Sequence, residues 1–302
     1  MSLDSLEVQD AEVPAKFGWR NLLYRVTRIK LGPNKYQAYE LRLRDRVRAS
    51  VGSAYPIAVV SLKGGVGKTA VVEALGSTFA EVRDDRVIAV DIDAGDLADR
   101  HGRRSPLSMV DLLGDRSVTR YLDVRAHTYM NSSGLEVLSP PDYAHSEWRI
   151  EREDFVKVIS VLRKHYSVVL VDCGKSLKSG VMEAVLPESR ALVVVTSASI
   201  DAIRKAGTTL EWLRNKGYQK LLESTVLTIN HTGLGKPNAL VNKELAQLSG
   251  QVAATVVLPF DRHVHEGKEI TLARLSKQSR RRYLQMAAVL ASMFPRRGSG
   301  KL

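Results

Sequence analysis

The sequence predicts a doubly wound α/β fold: a mostly parallel sheet with helices on both faces, preceded by a short basic arm. Three observations lead there. From Tyr55 onward, short apolar, β-branched runs alternate with stretches of helical periodicity. Those runs are near-continuously apolar rather than alternating, as strands buried on both faces require. A glycine-rich stretch also joins the first run to the first helix, at a strand's carboxyl end, where open α/β sheets bind ligands.

Taken in order, residues 1–15 are acidic and polar and read as a disordered tail. Residues 16–53 form a basic amphipathic arm. Trp19, Leu22, Leu23 and Val26 recur there at helical spacing with Arg20, Arg25 and Arg28 between them. GPN at 32–34 breaks the pattern, and 36–50 reads as a second short basic helix or an extended segment. The predicted strands are IAVVS (57–61), VIAVD (87–91), LEVL (135–138), VVLVD (168–172), ALVVVT (191–196), TVLTI (225–229) and AATVVL (253–258). Helical periodicity is clearest at 67–82, 152–165, 201–216 and 278–294. The domain so bounded runs from 54 to 295, with a basic tail at 296–302.

Composition narrows the function. The single cysteine, Cys173, excludes an internal disulfide framework and a Cys-x-x-Cys site, and fits a reducing cytoplasm. The first twenty residues lack an apolar run behind a basic start, so no secretory signal is expected. No stretch approaches the ~20 uninterrupted apolar residues of a membrane span. The net charge of +12 is uneven: 16–48 and 262–302 each hold ten Lys or Arg against two acids, and the middle is neutral. Two basic ends point to a polyanion partner, either non-specific DNA or an anionic membrane surface; the alternative is solvated charge that only aids solubility. The expected place is therefore the cytoplasm, on the nucleoid or at the inner face of the membrane.

The chemistry lies in SLKGGVGKTA, 61–70. Glycines permit positive φ, and successive N–H groups at a helix start cradle phosphate. Lys68 is placed to reach β- and γ-phosphates, and Thr69 to give Mg²⁺ a hydroxyl. Asp172 closes VVLVD, the position of a carboxylate that holds Mg²⁺ through water. Asp91 and Asp93 close VIAVDID, where one can orient an attacking water and the other support the metal shell. Capping of the next helix by Asp93 or Asp96 is the plain alternative.

KGGVGKT at 63–69, DID at 91–93 and VVLVD at 168–172 together resemble the deviant Walker A ATPases of the MinD/ParA type, a branch of the P-loop NTPases, over roughly residues 55–295. There the loop opens on a signature lysine, here Lys63, where the general pattern would need glycine at Leu62. The resemblance implies a homodimer in the ATP state, with Lys63 of each copy reaching the phosphates bound by the other, and slow hydrolysis resetting it. It implies phosphate contacts from Lys63, Gly64, Gly65, Val66, Gly67, Lys68, Thr69 and Ala70. Asp93 would position the catalytic water, and Thr69, Asp91 and Asp172 would sit at Mg²⁺. Asn230 would contact adenine, and Pro259, Phe260 and Asp261 would flank it. Three positions depart from the family pattern. Ala70 replaces a frequent second Thr, Ala94 replaces Pro, and Cys173-Gly174-Lys175 replaces Thr-Pro-Pro.

Within that superfamily, one cysteine excludes the iron–sulfur members. A final helix with Tyr283 alone is unlike the tyrosine-cluster kinases. About fifty residues before the loop leave little room for an operator-reading helix-turn-helix. Three readings stay open. The first is a ParA-like positioner of macromolecular cargo on non-specific DNA. The second is a MinD-like one using YLQMAAVLASMF (283–294) on lipid, unless that face packs on the sheet. The third rests on FGWRNLLYRVTRIKLGP, which resembles basic segments of the EspI-like ATPases that accompany type VII (ESX) secretion in actinobacteria. That reading implies a secretion-system component or an activating protein as partner. An ATP-responsive scaffold with negligible hydrolysis is the non-enzymatic alternative, and Asp93 separates it from the others.

Overall fold

The computed structural model describes residues 35–142, 144–233 and 239–295. The acidic tail, the arm up to residue 34 with Trp19, Leu22 and Val26, and the basic tail 296–302 lie outside the described residues.

The strands are β1 (Tyr55–Val60), β2 (Val87–Asp91), β3 (Tyr129–Met130), β4 (Glu136–Leu138), β5 (Val168–Asp172), β6 (Ala191–Ser197), β7 (Thr225–Asn230) and β8 (Ala254–Leu258). They form one sheet in the order β3-β4-β2-β5-β1-β6-β7-β8. Every pairing is parallel except β3 with β4. The doubly wound expectation is met. β3 has no forerunner in the sequence pattern, because two half-buried residues cannot display a period.

The helices are α1 (Lys35–Val47), α2 (Lys68–Val82), α3 (Asp96–Arg100), α4 (Met109–Gly114), α5 (Tyr121–Arg125) and α6 (Arg152–Leu162). They continue as α7 (Met182–Glu188), α8 (Ile200–Asn215), α9 (Gln219–Leu222), α10 (Ala239–Ser249), α11 (Arg262–His265) and α12 (Lys277–Ser292). Alternate residues of β1 feed two cores. Ile57 and Val59 meet α1, α2 and α12, whereas Ala58 and Val60 share a core with α6, α7, α8 and α10. α3, α4 and α5 escape a period search because five or six residues make barely more than one turn.

The apolar face of 283–294 packs inward. Tyr283, Leu284, Met286, Ala287, Leu290 and Phe294 are all buried, and Phe294 lies 4.6 Å from the Tyr55 ring. That stripe is therefore engaged with the core, leaving Lys277 and Arg280 at the start of α12 exposed. No helix among the described residues is long and apolar enough to cross a membrane.

Residues 35–47 form a helix docked on α12 through Tyr39, Leu43 and Val47. Gln285 donates to the Tyr39 hydroxyl at 3.0 Å, and the Arg281 guanidinium lies over the Tyr39 ring at 5.1 Å. Arg83 secures the helix end: its buried Nη1 donates to the carbonyls of Val47 at 2.6 Å and Ala49 at 2.9 Å, while Asp85 takes its Nε. Replacing Arg83 with alanine should lower the unfolding free energy by about 1.5–3 kcal/mol, the range for hydrogen bonds to a charged group. A urea titration measures this. Protease cleavage near 48–54 should speed up in the same variant as α1 loosens.

Candidate functional site

The loop after β1 sits at the middle of the sheet. Gly65 and Gly67 adopt left-handed φ of 75° and 85°, which turns the chain back on itself at the start of α2. Gly67 is the N-cap and offers no side chain, so the first N–H groups of α2 point into the loop without a capping partner. Any side chain at Gly67 would collide with Asn230, whose amide donates to the Val66 carbonyl at 2.8 Å. The loop is thus held in shape from β7. Lys63 is exposed at its entrance, and its backbone is tied to the Ser61 hydroxyl at 3.1–3.2 Å.

Strand register delivers the acids. Asp91 of β2 lies opposite Asp172 of β5, and Asp172 lies opposite Val59 of β1. Lys68 turns inward onto Asp172, its Nζ also 3.9 Å from Asp93. Burial works against the lysine's charge, but Asp172 and Asp93 outweigh it and hold the ammonium above its ordinary range. Burial pushes the Asp172 carboxyl up, and Lys68 and then the nearby Thr69 hydroxyl oppose it. The other oxygen of Asp172, Oδ2, is buried with no hydrogen-bond partner. A leftover anionic oxygen beside a hydroxyl suits a small hard cation. Among the described residues no group of three or more His, Cys, Asp or Glu could hold a metal. A cation here would therefore complete its shell from ligand oxygens and water.

Asp91, expected at that cation, has both oxygens in use. Oδ1 accepts from the Asp93 N–H and Oδ2 from the Leu97 N–H, each at 2.9 Å. Burial, and then the charge of Asp172, push its carboxyl up to about 7, against those two hydrogen bonds. What it visibly does is shape the turn that presents Asp93, whose side chain is 31% exposed.

On the opposite side of the loop, a cavity of about 320 Å³ is bounded by Gly65, Gly67, Ala70, Asn230, Pro259 and Phe260. The structure thus brings the residues expected at a base onto one pocket. Two of them also do structural work. Asn230 braces the loop, and the carboxylate of Asp261 accepts from the N–H groups of His263 at 3.0 Å and Ser276 at 2.9 Å.

Sequence reasoning missed Glu73 and Arg100, and gave Lys175 no role. Glu73, in α2, is fully buried and accepts from Arg100 Nε and from the Ile270 N–H, both at 2.6 Å. Arg100 lines the cavity, with a buried Nη2 that has no hydrogen-bond partner. Lys175 lies across Gly64. Glutamate on a helix otherwise rich in Ala and Val was the available signal for the first; the other two lack a motif. Beside Lys175, Cys173 is buried, its N–H bonded to the Val59 carbonyl at 3.2 Å and its thiol pushed far up by burial.

The family model described as the CobQ/CobB/MinD/ParA nucleotide binding domain matches residues 57–271. The ESX-1 secretion-associated protein EspI of Mycobacterium tuberculosis H37Rv is 41% identical over 291 residues, which is 95% of this chain and 44% of that protein. The chain thus spans less than half the length of that relative. Among solved structures, a ParA family ATPase from Chlorobium tepidum superposes with a TM-score of 0.65 at 22% identity, covering 78% of this chain and 98% of that one. MinD of Pyrococcus horikoshii complexed with Mg-ADP gives 0.60 at 23%, covering 78% and 94%.

Replacing Asn230 with alanine should cost about 1 kcal/mol of stability, the net worth of one hydrogen bond. It should weaken ATP and ADP alike, because the loop shape it holds serves both. Urea midpoints and equilibrium nucleotide titrations check the two parts.

Proposed function

The chain belongs to the CobQ/CobB/MinD/ParA nucleotide-binding family, and from that premise we propose that it is an ATP-hydrolysing switch whose nucleotide state controls the pairing of two copies. One observation carries the reading: a single loop holds one lysine inward, Lys68 on Asp172, and one outward, Lys63, exposed and without an ion-pair partner among the described residues. An inward lysine suits the nucleotide of its own copy. An outward lysine at the loop mouth suits that of another.

In this mechanism the phosphates of ATP rest on the N–H groups of 64–69, and Lys68 exchanges Asp172 for their β and γ oxygens. Thr69 and Asp172 would hold Mg²⁺, which supplies positive charge to the phosphate oxygens when bound. The adenine occupies the cavity beside Phe260. Asp93 orients water for attack on the γ-phosphorus; the bond from that phosphorus to the bridging oxygen breaks, and ADP and phosphate leave. Lys63 of the second copy stabilises the charge on the transferring group. The Mg-ADP held by MinD of Pyrococcus horikoshii, a neighbour in fold, supports the choice of ligand.

For the partner, the docking of α1 on α12 supports a polyanion. It places Arg42, Arg46, Lys277 and Arg280, all exposed, on two helices packed against each other. The first reading is therefore a positioner or partitioner of cargo acting on non-specific DNA, and so nucleoid-associated. The second is an ATPase serving a type VII secretion system at the inner face of the membrane. The identity to EspI over 95% of this chain favours the second.

Lys68→Ala should abolish ATP binding. Asp93→Ala should keep binding and lose about 10²–10⁴-fold in turnover, and Lys63→Ala should bind ATP as a monomer in analytical ultracentrifugation. Unchanged steady-state hydrolysis in Asp93→Ala would reduce the protein to a nucleotide-responsive scaffold. Co-sedimentation with DNA and with anionic vesicles, each with ATP and with ADP, separates the partner readings. Charge reversal at Arg42 and Arg280 should weaken whichever association is seen, and high salt should do the same.

A further inference from the structure

The loop that follows β5 reaches the phosphate cradle from the side opposite the base cavity. Its start is pinned by the Cys173 N–H on the Val59 carbonyl. Two glycines then allow three segments to close together. A Cβ on Gly174 would stand 3.3 Å from Asp93 Oδ1, and a Cβ on Gly64 would stand 3.3 Å from Lys175 Cε and 3.6 Å from its Nζ. Lys175 therefore lies over the first glycine of the loop, with Asp93 against the residue before it. Gly65, Gly67 and Ala70 face the base cavity, but Gly64 and Lys175 do not line it.

That division orients a bound nucleotide. With the base beside Phe260 and the chain of phosphates running along the loop, the terminal phosphate falls at the end occupied by Gly64, Asp93 and Lys175. Lys68 is already matched by Asp172 and Asp93. Lys175 has no ion-pair partner among the described residues, and its ammonium sits on a flexible stem suited to a point contact with phosphate.

We propose that Lys175 is a phosphate-binding residue acting in cis, which recognises the terminal phosphate and so makes the site discriminate ATP from ADP. The proposal rests on the ATPase reading above. It explains the stretch Cys173-Gly174-Lys175, in which the glycine admits Asp93 and the lysine reports on the group that Asp93 helps to remove. Loss of the terminal phosphate frees the lysine, which sits on a segment anchored at both ends by the buried Cys173 and Leu177.

The test is equilibrium titration of the full chain with a non-hydrolysable ATP analogue and with ADP, both with Mg²⁺. Lys175→Ala should weaken the ATP analogue about tenfold, as loss of one charge-assisted hydrogen bond does, and ADP by less than about twofold. Lys175→Arg should restore the preference, whereas a merely structural role would weaken both nucleotides together. An unchanged ATP-to-ADP affinity ratio in Lys175→Ala, with tight binding by the parent chain and none by Lys68→Ala, overturns the role of Lys175 and leaves the ATPase reading standing. Absence of nucleotide binding by the parent chain overturns both.

Discussion

Two carboxylates, Asp91 and Asp172, end adjacent central strands side by side and almost fully buried, and the site depends on how that charge is balanced. An uncompensated buried ion costs on the order of several kcal/mol. Lys68 compensates Asp172 directly, while two backbone N–H groups compensate Asp91 only in part, which is why burial and its neighbour still push its carboxyl up to about 7. In the function proposed above, a bound nucleotide offers phosphates to Lys68 and a cation to Asp172, so neither group is left without a partner.

The surroundings keep that arrangement rigid while leaving its rim adjustable. Asn230 fixes the loop from one side of the sheet, and Glu73 ties α2 both to α3, through Arg100, and to the chain at Ile270. α3 follows directly from the turn that carries Asp93. Chain continuity and the two Glu73 hydrogen bonds thus link that turn to Arg100 in the cavity wall and to the segment leading into α12. The basic surface shared by α1 and α12 stands at the far end of that connection.

Much of this was legible in the sequence because its signals are local. The runs VIAVD and VVLVD match β2 and β5 residue for residue, and GGVGKT between a strand and a helix marked the loop. Strands buried on both faces must be apolar throughout, so their pattern survives any detail of packing. The less legible parts depend on distant partners. Asn230 read only as an adenine contact, and its brace on Val66, 164 residues away, went unread. Asp91 read only as a metal neighbour, and its backbone bonds to the turn at 93–97 went unread. Glu73 and Arg100 meet only after α2 and α3 pack, and no spacing along the chain reveals that. The helix 283–294 was ambiguous for a related reason, since one apolar face serves lipid or core equally until a sheet is there to receive it.

The lone cysteine carries a practical consequence. Cys173 is shielded from solvent, and burial keeps its thiol protonated. The parent chain is therefore an almost silent background for thiol chemistry. A cysteine introduced at an exposed position on α1 or on the Lys175 loop becomes the one that takes a fluorophore or spin label. Movements of the two ends of the molecule can then be followed in real time without first removing a residue from beside the buried carboxylates.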